Sequence, residues 1–205
     1  IHIGKVPPAI GALRETLGLT IVQGAWVLAL LSVIAAACGC LAGTLASALG
    51  ALPVTVASVL IVAVASAAGA FAPSVGALLA SRAVEGVGLL LAVVTVPALL
   101  AANTAAADRQ VVSGLWGSYM GVGMAIAMLA APWLLQASGW PALWLASSAL
   151  KVALAALLVV LRPRAPAAAP QHLNWPAIGR AVWQREPLLL GLIFFCHAYQ
   201  YFAVF

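Results

Sequence analysis

Long uncharged stretches dominate this chain. From Thr16 to Ser81 there is no Asp, Glu, Lys, Arg or His, and nearly every residue is Ala, Leu, Val, Ile, Gly or Ser. A second stretch, Gln110 to Leu150, also lacks Asp, Glu, Lys and Arg. One bilayer crossing takes ~20 apolar residues, so the first stretch is too long for a single span. Lipid cannot hydrogen-bond bare backbone, which leaves helices or a closed barrel. Barrel strands alternate apolar and polar residues. Nothing here does, so the pattern predicts helices.

Turn residues and charges divide the pattern. Residues 1–19 hold Lys5, Pro7, Pro8, Arg14 and Glu15 and read as an external-loop segment. Spans are expected from Thr20 to about Ser47, Val54 to Phe71, Val75 to Asn103, Val111 to Gln136 and Ala142 to Leu161. Gly50 with Pro53, Ala72-Pro73-Ser74, Asp108-Arg109 and Ser138-Gly139-Trp140-Pro141 separate them. Arg162, Pro163, Arg164, Pro166 and Pro170 then form a stretch that no span could contain. Asn174-Trp175-Pro176 can start a short amphipathic helix, with Pro in its first turn. A sixth span begins near Pro187 and is cut at Phe205.

Composition agrees with this division. The chain is 65% hydrophobic and 6% charged, with mean hydropathy +1.16. Soluble domains are ~25% charged. The expected fold is therefore all-α, a polytopic membrane helix bundle. In a soluble chain a net charge of +5 would point to nucleic acid. Here it points to basic loops, and no nucleic-acid partner is expected. Arg109, Arg162, Arg164, Arg180 and Arg185 fall on one side by parity, against Lys5 and Arg14 on the other. That bias places residues 162–186 in the cytoplasm. Cys38 and Cys40 point to nearly opposite sides of a helix and read as small apolar filler. There is no G-x-x-x-x-G-K-[ST], H-E-x-x-H or G-x-S-x-G. Four acids and three His make a metal or hydrolytic centre hard to assemble, so no enzyme, metal or cofactor is expected.

Helices in lipid associate through close packing of small residues. Ala35, Gly39, Gly43 and Ser47 form one four-residue stripe, and Ser113, Gly117, Gly121 and Ala125 another. Either stripe can be static packing or a sliding surface. The stretch Gly43-Thr-Leu-Ala-Ser47-Ala48-Leu-Gly50-Ala51-Leu52 matches the spacing of G-x-L-A-D-R-x-G-R-R. Its charges are replaced by Ser47, Ala48, Ala51 and Leu52. Arg82-Ala-Val-Glu85-Gly86 matches R-x-x-x-G, and Arg109 stands in the loop beyond. In these motifs and their order the chain resembles the N-terminal half of a major facilitator superfamily transporter, plus helix seven. Lys5-Val-Pro7-Pro8-Ala9, Gly114-Leu-Trp116-Gly117-Ser-Tyr119-Met120 and Gly139-Trp140-Pro-Ala-Leu-Trp144 are similar to its cyanate and nitroimidazole branch.

The resemblance implies a partial fold. Residues 1–161 would be helices two to six with the loop after a lost first helix. Residues 162–186 would be the linker, and 187–205 the first helix of a truncated C-terminal bundle. The chain's remaining C-terminal half would be its partner. The missing charges at Ser47 and Ala48 imply a weak cytoplasmic latch.

The few charges inside the spans carry the functional reading, because each costs ~2.5–3.5 kcal/mol at a helix centre. Arg82 and Glu85 are three apart and can pair, as a structural tie or as a proton or substrate relay. Lys151 lies mid-span, as an inward anion-binding or gating cation or as a partner for Glu85. Trp116 and Tyr119 share a helical face, for packing or for a ligand. Trp133, Trp140 and Trp144 lie near span ends and read as interface anchors. The resemblance makes His197 and Gln200 substrate-side candidates, an inter-helix hydrogen bond being the alternative. The expected function is secondary active transport of a small anion or polar weak acid across a bacterial plasma membrane, with protons as candidate coupling ion. A broad-specificity efflux pump and a non-transporting scaffold are the alternatives.

Overall fold

The computed structural model describes residues 3–165, 183–186, 188, 189, 192, 193 and 196, with backbone alone at 35, 36, 40 and 41. Two compact units, Ile1–Pro170 and Gln171–Phe205, are separate bodies. The second is helical at 185, 186, 188, 189, 192, 193 and 196. The rest of this section concerns the first.

Its helices are α1 (Val6–Leu17), α2 (Ile21–Leu49), α3 (Ala51–Ala70), α4 (Val75–Ala102), α5 (Arg109–Gly117) and α6 (Tyr119–Leu161). A 3-10 turn at Ala106–Asp108 precedes α5. Ile21–Gly39, Ala51–Ala70, Val75–Ala102 and Ala106–Leu161 are long and apolar enough to cross a membrane. The chain is an all-helical, multi-pass bundle, as its hydrophobic pattern predicts.

Local signals set the ends. Thr20 and Gln23 form a reciprocal capping box at the start of α2: Gln23 N–H donates to Thr20 Oγ1 at 3.2 Å, and Thr20 N–H donates to Gln23 Oε1 at 3.0 Å. Gly50, at φ 89°, closes α2 and lets α3 begin at once. Ser74 caps α4 by accepting from the Ala77 N–H at 3.3 Å.

α6 is 43 residues long. Straight, it would reach roughly 65 Å, twice the ~30 Å hydrocarbon core. It is not straight. Gly139 has φ 70° and ψ −174°, outside helical space. A β-carbon on Gly4 would lie 3.0 Å from the Met124 Cα, while the adjacent Lys5 Nζ lies 4.6 Å from the Trp144 ring centroid. Twenty residues of straight helix would separate Met124 from Trp144 by roughly 30 Å, too far for neighbours to touch both. The chain therefore folds back at Gly139, between a first limb (119–138) and a second (140–161). The expected fifth span is the second limb, divided from the first at the expected turn. The expected fourth span, Val111 to Gln136, is broken at Ser118 into most of α5 and the first limb, where Gly117 and Ser118 are weak helix formers.

The segment expected as an external loop contains α1. Pro7 and Pro8 were its loop signal, yet Pro is at home in a first helical turn. Val6, Ala9 and Leu13 repeat at helical spacing and are fully buried, and Gly18 stops the helix at φ 67°. They join Val27, Leu78, Ala131, Leu143 and Trp144 in the larger core. A smaller core of Ala42, Val54, Leu90 and Leu91 ties α2, α3 and α4.

Glycines bring α4 against its neighbours. A β-carbon on Gly88 would lie 2.6 Å from Val62 Cγ2 and 2.8 Å from the Ser58 carbonyl oxygen of α3. One on Gly86 would lie 3.2 Å from the Leu31 Cα of α2. The second limb of α6 lies along α3, where Ser148 Oγ donates to the Ala63 carbonyl at 2.8 Å.

Candidate functional site

This packing encloses charge. Arg82 and Glu85 lie seven and ten residues into α4, roughly 10 and 15 Å along its axis from the α3–α4 turn. Their three-residue spacing puts both on one face. The Arg82 guanidinium donates to Glu85 Oε2, and its Nε–H donates to the Val27 carbonyl of α2 at 3.2 Å. The sequence reading expected this pairing.

The second partner of Glu85 is Lys5, which that reading left in a loop. Lys5 Nζ donates to Glu85 Oε1 at 2.8 Å and to Ser66 Oγ of α3 at 2.7 Å. Ser66 Oγ in turn donates to the Trp144 carbonyl at 2.9 Å, which leaves its lone pairs for the ammonium. The Trp144 ring covers the ammonium at 4.6 Å, within cation–π range. Lys5, Arg82 and Glu85 are 1%, 1% and 0% exposed. One carboxylate thus bridges the Lys5 and Arg82 side chains. α1, α2, α3, α4 and the second limb of α6 each supply a group.

Trp144 is 0% exposed and edge-on to Trp140, with centroids 5.3 Å apart, so neither is an interface anchor. Helical spacing from the Gly139 bend turns both inward. Trp133 is 78% exposed. Among the described residues the Trp144 indole N–H has no hydrogen-bond acceptor. Gly69 makes room beside it, since a β-carbon there would lie 3.1 Å from Nε1.

Lys151 stands two helical turns beyond Trp144, on the same face of the second limb. It is half-buried and makes no ion pair among the described residues. Glu85 is engaged by Lys5 and Arg82 instead. Tyr119 stacks on Trp116, with centroids 4.5 Å apart and planes at 18°, and takes no part in the triad. Arg109 is exposed at the start of α5 and lines a cavity of about 100 Å³ with Pro97 and Trp116. His197 and Gln200 lie outside the described residues.

The glycines divide into two groups. Gly86 meets α2 closely. At Gly39, Gly43, Gly117 and Gly121 a β-carbon would have nothing within 4 Å. Ser47 is half-buried and its hydroxyl donates to the Thr44 carbonyl at 2.8 Å. An apolar groove of about 720 Å³ runs between α3 and α4, lined by Leu60, Val64, Ala68, Ala80 and Ser81 among others.

The family model for the Major Facilitator Superfamily matches residues 4–205, essentially the whole chain. The chain belongs to the Major Facilitator Superfamily. The membership makes it a membrane transporter and accounts for the helical bundle. No individual curated protein matches it.

Proposed function

We propose that the chain belongs to a secondary active transporter that moves a small anion or polar weak acid by alternating access, with protons as candidate coupling ion. The observation that carries this reading is the charge balance inside the bundle. Lys5, Arg82 and Lys151 face a single acid, Glu85. Of these three cations, Lys151 is the one that makes no ion pair among the described residues, and it stands roughly 18 Å along the second limb from Gly139. That depth is near the bilayer midplane, where this class of transporter binds its solute. An anion there would meet a positive potential that water barely screens.

Uptake by the full-length protein in proteoliposomes tests the reading. Lys151→Gln lowers uptake of the anionic substrate at least tenfold while thermal stability is kept. Uptake unchanged by that substitution would count against an anion. The open glycine faces at Gly39, Gly43, Gly117 and Gly121 support a role as sliding surfaces against the other half of the transporter.

The bias of basic residues supports a bacterial plasma membrane with residues 162–186 in the cytoplasm. With Lys5 buried, Arg14, exposed in the last turn of α1, is the main basic group left on the opposite side. A second reading, broad efflux of amphipathic compounds, draws on the groove between α3 and α4. Ligand-induced stabilisation by amphipathic cations rather than small anions would favour it.

A further inference from the structure

The end of α4 grips the chain that leaves α6. Asn103, the C-terminal cap of α4, donates from Nδ2 to the Arg164 carbonyl at 2.7 Å. Its Oδ1 accepts from the Arg164 N–H at 2.9 Å. The side-chain amide therefore engages both backbone groups of one residue, as the edge of a β-ladder would. Nδ2 also donates to the Leu99 carbonyl at 2.8 Å, which fixes the amide to its own helix. A second feature points the same way. Arg162 has left-handed backbone, φ 43° and ψ 60°, and so turns the chain sharply at the end of α6. That conformation is uncommon outside glycine and persists where surrounding contacts impose it.

We propose that Asn103 is a docking point that ties the connecting chain after α6 to α4, the helix that carries Arg82 and Glu85. Any displacement of α4 then carries residues 162–165 with it. The consequence for transport rests on the transport reading above. The docking does not.

Limited proteolysis of the full-length protein in detergent micelles separates the two. Arg164–Ala165 is open to trypsin, whereas Pro163 protects the bond after Arg162. Asn103→Ala raises the cleavage rate at Arg164 about tenfold, the effect of losing both bonds to the chain. Asn103→Asp keeps the acceptor and loses the donor, so its rate falls between. Cleavage at Arg109, exposed at the start of α5, stays at the wild-type rate. An unchanged rate at Arg164 in Asn103→Ala, or an equal rise at Arg109, overturns the proposal. Transport assays play no part in that result, so failed transport would leave the docking standing.

Discussion

Glu85→Gln is expected to be far more damaging than Lys5→Met, although the two residues pair with each other. At the observed 2.8 Å and an effective dielectric of 20, Lys5 and Glu85 attract by about 6 kcal/mol before desolvation is counted. Glu85→Gln removes that attraction and the matching one from Arg82. Two cations, each 1% exposed, then face each other without the acid that balanced them. Breaking a buried pair in this way costs ~3–5 kcal/mol. Lys5→Met acts differently. It leaves Glu85 with Arg82 as a neutral pair, and Arg82 keeps the Val27 carbonyl. An unbranched Met fills the space of the lysine stem, and no longer burying an ammonium offsets the lost bonds to Glu85 and Ser66, so the net loss is on the order of the cation–π contact, ~0.5–2 kcal/mol. Adding Lys5→Met to Glu85→Gln removes one stranded cation and should restore part of the loss. Thermal unfolding of the full-length protein in nanodiscs, followed by tryptophan fluorescence, reads all three variants. At ~2–4 °C per kcal/mol for 150–250 residues, Glu85→Gln lowers Tm by ~6–20 °C. Lys5→Met lowers it by at most ~8 °C on the same scale. Equal losses in the two single variants, or a double variant showing their sum, would refute the shared-acid account.

The two groups of glycines make a contrasting pair. Gly88→Val drives its side chain into the Ser58 carbonyl and Val62, and should cost ~1–3 kcal/mol by thermal unfolding. Gly43→Ala and Gly117→Ala meet open space and should leave stability within ~0.5 kcal/mol, while transport rates fall if these faces slide. Gly139→Ala puts a β-carbon at φ 70°, ψ −174°, a region open essentially to glycine alone, and should cost ~1–3 kcal/mol. A loss much below that would mean that the fold-back between the limbs of α6 does not depend on this glycine-only backbone.

The helices were legible because lipid leaves so few alternatives. The boundaries at Gly50, Ser74 and Gly139 follow from a capping hydroxyl or a positive φ, both of which have sequence signals. α1 was misread because its two prolines serve a loop and a first helical turn equally well. The spacing of Val6, Ala9 and Leu13, with Gly18 as the stop, was the signal that decides.

The pairing of Arg82 with Glu85 was local and therefore visible. Lys5 and Glu85 are 80 residues apart, and nothing in the spacing of either points to the other. Charge bookkeeping alone offered a hint. A lone Arg–Glu pair needs no further cation, whereas Lys5 stands directly before a buried helical stripe and had to be either solvated or paired. Trp144 was misread for a related reason. Proximity to a turn says that a residue is near the membrane surface, not which way its ring faces.

These arrangements bear on which parts of the unit can move. Gly86 and Gly88 hold α4 against α2 and α3 with almost no slack. Arg82 binds the α2 backbone, and Lys5 joins α1 to α3 and α4. Sliding α4 past either neighbour would separate ions in a low-dielectric interior and force side chains through backbone. Both costs rise steeply with displacement. At Gly39, Gly43, Gly117 and Gly121 no such contact resists motion among the described residues. Under the transport reading, residues 3–165 should therefore rock as one rigid body on the open faces of α2, α5 and the first limb of α6. The charge cluster would keep its internal geometry while its access to either side of the membrane changed.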